Sequence, residues 1–308
     1  MLYPWIFFNI FALAALALDF FVFQNGRAAR RTRDALIRSA MWLALAMAFA
    51  ALIFFWQGRQ VAVEFVTGYL VELSLSVDNL FLFLVIFRYF AVPHEHQHRV
   101  LFWGILGALL MRGVLIIAGI RLVQRFHWIF YGLGALLIYS GIRLGFVGEH
   151  QVDPAKNPVV KALRWLVPVT TDYRGNRFLV RGCQGSPGLY ATPLLIVLVV
   201  IETTDLLFAV DSIPAVMAIT LNAFIVYASN AFAIIGLRSL FFAVSELLKT
   251  FRYLHSGLAL ILVLMGLKMI AQNYLKVSTL AVLSVVSCIL LVSILASVVH
   301  PGVKPNEK

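Results

Sequence analysis

Long apolar runs separated by short polar connections dominate the chain, and neither strand-like alternation nor a narrow amphipathic stripe organises them. Runs of about 20 apolar residues match the roughly 30 Å thickness of a hydrocarbon layer at 1.5 Å per helical residue. They fall near 4–23, 40–57, 61–87, 100–122, 128–147, 191–219, 223–247, 253–271 and 278–299. The pattern predicts an all-α polytopic membrane protein with about nine transmembrane helices. Two runs are interrupted by acids in the same way. ELSLSVDN at 72–79 is echoed by DLLFAVDS at 205–212, so that Glu72 and Asp78 match Asp205 and Asp211, with Asn79 and Ser212 following. An ionisable group at bilayer depth costs several kcal/mol and by default marks a functional site.

Composition agrees with the pattern: of 308 residues, 62% are hydrophobic and 13% charged, and the mean hydropathy is +0.92. A formal charge of +11 would suggest nucleic acid as the partner of a soluble protein, but here the positions of the charges exclude that reading. Arg27, Arg30, Arg31, Arg33 and Arg38 crowd one connection, and Lys156, Lys161, Arg164, Arg174, Arg177 and Arg181 another, whereas the alternate connections hold few cations. The positive-inside rule then places the N-terminus outside and both basic connections and the C-terminus in the cytoplasm. No Lys or Arg precedes the first apolar run and arginines follow it, which predicts a retained span rather than a cleaved signal. Two cysteines, Cys183 and Cys288, support neither a disulfide framework nor a thiolate metal site.

The expected organisation follows from these signals. Residues 1–60 hold two peripheral spans, 61–147 a first repeat with one acidic motif, and 148–190 a basic cytoplasmic loop. Residues 191–271 hold a second repeat, and 272–308 the last span with a short tail. The motifs lie in the third and sixth spans, an odd number of crossings apart, which predicts an inverted-topology repeat of three plus three helices with a site between them. In the loop, VVKALRWLV (159–167) reads as a short membrane-surface helix and DYRGNRFLVR (172–181) as a hairpin around Arg174–Asn176. An anionic-lipid or protein contact is the functional reading of this loop, and a solvated linker the plain one.

Residues six apart on a helix differ by about 240°, so convergence of Glu72 with Asp78 on one ion predicts unwound helices. Ser74, Ser76, Thr203 and Thr204 are expected to satisfy the freed backbone, and Pro214, which lacks an amide hydrogen, to mark the second break. Glu202 and Asp205, at i,i+3, would repel each other unless a cation or proton lay between them. The predicted metal-binding set is thus Glu72, Asp78, Asn79, Glu202, Asp205, Asp211 and Ser212. An all-oxygen set suits hard cations such as Mg²⁺, Ca²⁺ and Mn²⁺, and residue types do not choose among them. Arg112 and Arg238, also at membrane depth, are expected to pair with these carboxylates when no metal is bound, the plain alternative being that they brace helix packing. Asp19 reads as a helix-capping residue in the interface, with a proton or ion relay as its functional alternative, and Glu64 as a plain residue near the span's end or one at the site entrance. His94, His96 and His98 read as a solvated cluster, with a regulatory metal site as the alternative.

GYLVELSLSVDNLFLFLVIF, HRVLFWGILGALLMRG, LYATPLLIVLVVIETTDLLFAVDSIPAV and SNAFAIIGLRSL closely resemble the TerC family of integral membrane proteins. The resemblance covers almost the whole chain. It implies a bacterial inner-membrane protein akin to cation exporters of the lysine-exporter superfamily, whose members export manganese and whose name reflects tellurium resistance. Carried over position by position, it implies Glu72, Asp78, Glu202, Asp205 and Asp211 as functional acids, with Asn79 and Ser212 beside them. Leu73 departs from the lysine that many relatives carry after the glutamate.

The leading expectation is a secondary transporter exporting Mn²⁺, with inward proton movement as the coupling, no prosthetic group and no enzymatic activity. A Ca²⁺ exchanger is the near alternative. A non-transporting scaffold of a tellurium-resistance or metal-insertion complex is a more distant one. An intramembrane aspartyl protease built on Asp78 and Asp211 would leave the other carboxylates without a role and lacks a Gly-x-Gly-Asp context.

Overall fold

The computed structural model describes residues 3–23, 32–126, 128–147, 165, 167–170, 175, 177–183, 186–244, 253–271 and 277–299. For some residues inside the helices, Asp19, Asp78 and Arg238 among them, it describes the backbone alone. Nine long helices form among these residues: α1 (Tyr3–Phe23), α2 (Thr32–Gln57), α3 (Arg59–Tyr89), α4 (His94–Arg125), α5 (Ile129–Val147), α6 (Pro193–Met217), α7 (Ala223–Val244), α8 (Leu254–Ala271) and α9 (Thr279–Val299). Helix is the state in which an apolar run satisfies its own backbone without water. Breaks occur where the sequence supplies them. Gly58, at φ 93°, turns the chain between α2 and α3, Pro93 precedes α4, and Thr192 leads into Pro193 at the first position of α6.

Among the described residues, six helical stretches are long and apolar enough to cross a membrane: Ile37–Gln57, Glu95–Arg125, Ile129–Phe146, Pro193–Met217, Leu254–Ala271 and Thr279–Ser297. The apolar stretches Tyr3–Leu18 and Ala223–Leu237 are shorter. α3, although 31 residues long, carries Glu64, Glu72 and Asp78. The chain is a multi-pass, mostly helical membrane protein.

Helix neighbours fall into a simple scheme. α3 packs along α7 and α4 along α6, while α2 lies on α3 and α7, α9 on α3 and α8, and α1 on α7. The closest approaches give directions: Gly104 meets Ile201 and Gly119 meets Met217, so α4 and α6 run parallel. Gly68 meets Ser229 and Phe87 meets Phe241, so α3 and α7 run parallel too. α5 and α8 form the longest contact, and they are antiparallel, with Gly134 against Gly266 and Gly141 against Ala259. Lipid tails are as apolar as leucine, so close backbone approach, not hydrophobic exclusion, holds such pairs.

One expectation is corrected. α3 and α6 are continuous helices, with no unwinding between Glu72 and Asp78 or between Asp205 and Asp211. The hydroxyls expected to patch a break instead donate to carbonyls three or four residues back: Ser74 to Leu70, Thr204 to Val200, and Thr203 to Val199 and Val200. Pro214 is tolerated because it falls in the last turn of α6, where the helix is about to end anyway. A hairpin forms further on, where β1 (Leu179–Cys183) pairs antiparallel with β2 (Ser186–Ala191), with an irregularity between Arg181 and Cys183; most of the turn expected at Arg174–Asn176 lies outside the described residues. Most of 159–167 lies outside the described residues.

A methyl group on Gly266 would stand 2.6 Å from the carbonyl oxygen of Gly134, and one on Gly141 would stand 2.7 Å from that of Ala259. Backbone atoms cannot step aside as a side chain can, so Gly141→Ala and Gly266→Ala should each lower stability by roughly 1–3 kcal/mol. Gly132, with nothing within 4 Å of such a methyl, should accept alanine without loss. Thermal unfolding in detergent, followed by circular dichroism, checks the difference.

Candidate functional site

Arg112 stands in the middle of α4, where its relative exposure is 1%. A buried guanidinium needs carboxylates, and helices on two sides supply them. Asp205, on α6, accepts from Nε at 3.1 Å and from Nη2 at 2.8 Å, the two-pronged geometry that matches a guanidinium to a carboxylate. Glu72, on α3, accepts from Nη1 at 3.1 Å. The same Nη1 reaches Ser212 Oγ and Asn230 Oδ1, each at 3.3 Å. Asn230, on α7, closes the ring by donating Nδ2–H to Glu72 Oε1 at 2.7 Å. Four helices thus meet at one cation, with two carboxylates against one guanidinium, a balance of −1.

The helical register explains this convergence without any break. Asp205 and Ser212 are seven residues apart, nearly two full turns, so both point from α6 to Arg112. Glu72 and Asn79 share the equivalent spacing on α3. Asp211 is six residues from Asp205 and therefore points elsewhere, accepting from Ser140 of α5 at 2.8 Å. Beside the arginine lies a cavity of about 260 Å³ whose polar lining comprises Glu72, Asn79, Tyr139, Ser140, Arg143, Asp211 and Ser212. Leu75, Leu136, Leu207, Phe208 and Leu262 complete much of its wall.

Glu202 stands apart from the arginine. Its carboxylate packs against Gly107 of α4, in space that any side chain at 107 would claim, and its buried Oε2 has no hydrogen-bond partner. The side chains of Asp78 and Arg238 lie outside the described residues. Of the predicted set, then, Glu72, Asp205 and Ser212 gather on Arg112, and Asn79 and Asp211 line the adjoining cavity. Among the described residues no group of three or more acidic, histidine or cysteine side chains is disposed to hold a metal ion. The physical reason is that Arg112 occupies the ground between the carboxylates. Glu64 accepts from Gln60 on an exposed face, and His96 is buried with Nε2 3.7 Å from Glu95.

Asn230 and Ser140 were not among the expected site residues. Each is a small polar side chain inside an apolar run, the same signal that Asn79 and Ser212 carry, but neither follows an acid and so neither stands out. Lys268, on α8, is a further case: its Nζ donates to the carbonyl of Ala218 at 2.6 Å, just past the end of α6. There it neutralises the negative pole of the helix.

Comparison with known proteins agrees with this architecture. A family model described as the integral membrane protein TerC family matches residues 57–304. An uncharacterized membrane protein of Myxococcus xanthus is 41% identical over 303 residues, covering 98% of this chain and 94% of its own. Alx of Salmonella typhi, named as a candidate membrane-bound redox modulator, is 39% identical, with 93% of this chain and 91% of its own covered. Alx of Escherichia coli K12 is 38% identical over the same shares. No solved structure matches. With four-fifths of its length inside the family model and relatives alike from end to end, the chain belongs to the TerC family of integral membrane proteins.

Proposed function

We propose that the chain is a secondary transporter that exports divalent metal cations, Mn²⁺ foremost, from the cytoplasm by alternating access. One observation carries the reading: the first carboxylates of the two motifs, Glu72 and Asp205, share a single cation, Arg112, sealed at the centre of the bundle. A metal ion would compete for the same two carboxylates. With Arg112 in place the centre carries −1; a divalent cation bound after the arginine moves away would bring the carboxylate pair to neutrality. The oxygen-only chemistry favours hard cations, and the family resemblance favours manganese among them.

The packing supports an inverted repeat. Under exchange of α3 with α6 and of α4 with α7, the parallel pair α4/α6 becomes the parallel pair α7/α3, and the Gly104–Ile201 approach has its counterpart in Gly68–Ser229. α5 and α8 exchange with each other and hold mainly to each other. The cavity lies between this pair and the α3/α6 wall, so movement of α5 and α8 as one body against the other four helices opens the site at least cost in packing. In this reading the nine helices all span the bacterial inner membrane, with the N-terminus outside and the C-terminus and loop 148–190 in the cytoplasm. Protons moving inward onto the vacated carboxylates would couple export to the proton gradient.

Proteoliposomes containing only this chain should take up or release Mn²⁺, and Glu72→Gln or Asp205→Asn should cut the rate at least tenfold. Liposomes with the intact protein that pass no Mn²⁺ would mean that the chain is a scaffold and not a carrier. A second expectation concerns the arginine. Arg112→Leu leaves two buried carboxylates without a cation, which should cost about 3–5 kcal/mol. If Arg112 stands where metal binds, excess Mn²⁺ should restore about 2.7 kcal/mol at a hundredfold excess over its dissociation constant. Thermal shift of the variant with and without Mn²⁺ measures this, and an unrescued variant would show that the arginine only braces the bundle.

A further inference from the structure

The arginine does not use up the polar wall of the neighbouring cavity. Asn79 has a relative exposure of 3% and its side chain lines the cavity, yet it makes no hydrogen bond to any described residue. Its amide atoms are not among the fully buried unpaired ones; they face the cavity, where a polar occupant can meet them. Glu72 and Asp211 bring carboxylate oxygens to the same space. Glu72 accepts hydrogen bonds from Arg112 and Asn230, and Asp211 accepts from Ser140; a carboxylate carries about four lone-pair sites.

Direct ligation of a hard divalent cation requires several oxygens converging to about 2.0–2.6 Å. The described residues do not present such a group. A cation that keeps its waters asks less, namely acceptors one hydrogen bond beyond a ring of water. Six waters at about 30 Å³ each occupy roughly 180 Å³, which the 260 Å³ cavity holds with room to spare. Facing charges are Glu72 and Asp211 on the acidic side and Arg143 of α5 on the other. Arg143 is exposed, so water screens it more than the buried Glu72.

Resting on the cation-transport reading above, we infer that this cavity binds the divalent cation with its water shell intact, held by Asn79, Asp211 and Glu72 through the waters. It is an antechamber to the Glu72/Asp205 centre, where ligation by the carboxylates themselves begins only when Arg112 gives way. Selection then falls on the ease of losing water. Mg²⁺, which dehydrates reluctantly, is admitted but advances slowly, while Mn²⁺ and Ca²⁺ exchange their shells readily.

Hexaamminecobalt(III), an exchange-inert mimic of a hydrated metal ion, tests this. The purified full chain in detergent should bind it by calorimetry, in competition with Mg²⁺. Asn79→Leu should weaken binding about tenfold and Asn79→Asp should tighten it, opposite changes that misfolding cannot produce together. In proteoliposomes the complex should inhibit Mn²⁺ flux without crossing. The antechamber is overturned if the intact chain binds no hexaamminecobalt(III), or if both Asn79 variants bind it equally. Failure of the transport reading looks different: binding that responds to both variants, with no Mn²⁺ flux, keeps the cation cavity and removes the carrier.

Discussion

A guanidinium buried at the level of the bilayer core is the constraint on which the rest of the structure depends. An unpaired cation there would be expelled to the interface or would unfold the bundle, since its desolvation costs several kcal/mol. Arg112 is kept by using its donors on four partners: Nε and Nη2 on Asp205, and Nη1 on Glu72, Ser212 and Asn230. Those partners sit on three other helices, so the pairing of α4 with α6 and of α3 with α7 cannot slide without leaving a charge uncompensated. Gly68 and Gly104 serve the same end, since a methyl group at either would stand only 3.0–3.3 Å from a side chain of the neighbouring helix.

The geometry also settles how acidic motifs are read along a helix. Six residues between two carboxylates suggest a broken helix only if both must reach one ion. In α6 they divide the work: Asp205 and Ser212, seven places on, share a face, and Asp211 looks toward α5. An unbroken helix therefore builds two adjoining polar surfaces, one closed around the arginine and the other bordering the cavity. Ser74, Thr203 and Thr204, which return their hydroxyls to their own helix, keep it unbroken by leaving no polar group unsatisfied.

Much of this was legible in the sequence. The apolar runs gave the helices to within a few residues, except that α2, α3 and α4 extend past the apolar stretch into polar residues, which hydropathy does not register. The pairing of Arg112 with the motif acids followed from charge at depth. What was not legible depends on register between helices. Asn230 and Ser140 are ordinary polar residues until α7 and α5 are laid beside α3 and α6. Glu202 seemed bound to join Asp205 by spacing, yet 60° of rotation is enough to turn it onto Gly107. The pairing of β1 with β2 was not legible because Gly175 gives a turn signal as strong as the residues near 184, and the parallel bridge of Val169 to Ala191 lies outside any local pattern.

The choice of arginine over lysine at position 112 has a physical consequence. A lysine buried among apolar helices can give up its proton, and the carboxylates facing it can take protons up, so that a lysine centre can dissolve its charges without any atom moving far. An arginine stays protonated, and its planar fork holds Asp205 by two bonds while a third donor holds Glu72. Such a centre can be released from its cation only by moving the guanidinium bodily and putting another positive charge, or protons, in its place. Under the proposed transport function, a cation fixed in this way would hinder leakage, since a centre reduced from −2 to −1 attracts a passing ion less. For the proposed cation transport to proceed, the doubled charge of a divalent ion would have to offset the loss of the fork. That asymmetry between one charge with many hydrogen bonds and two charges with none would allow the same pair of acids to be both sealed and, in the transport reading, exchangeable.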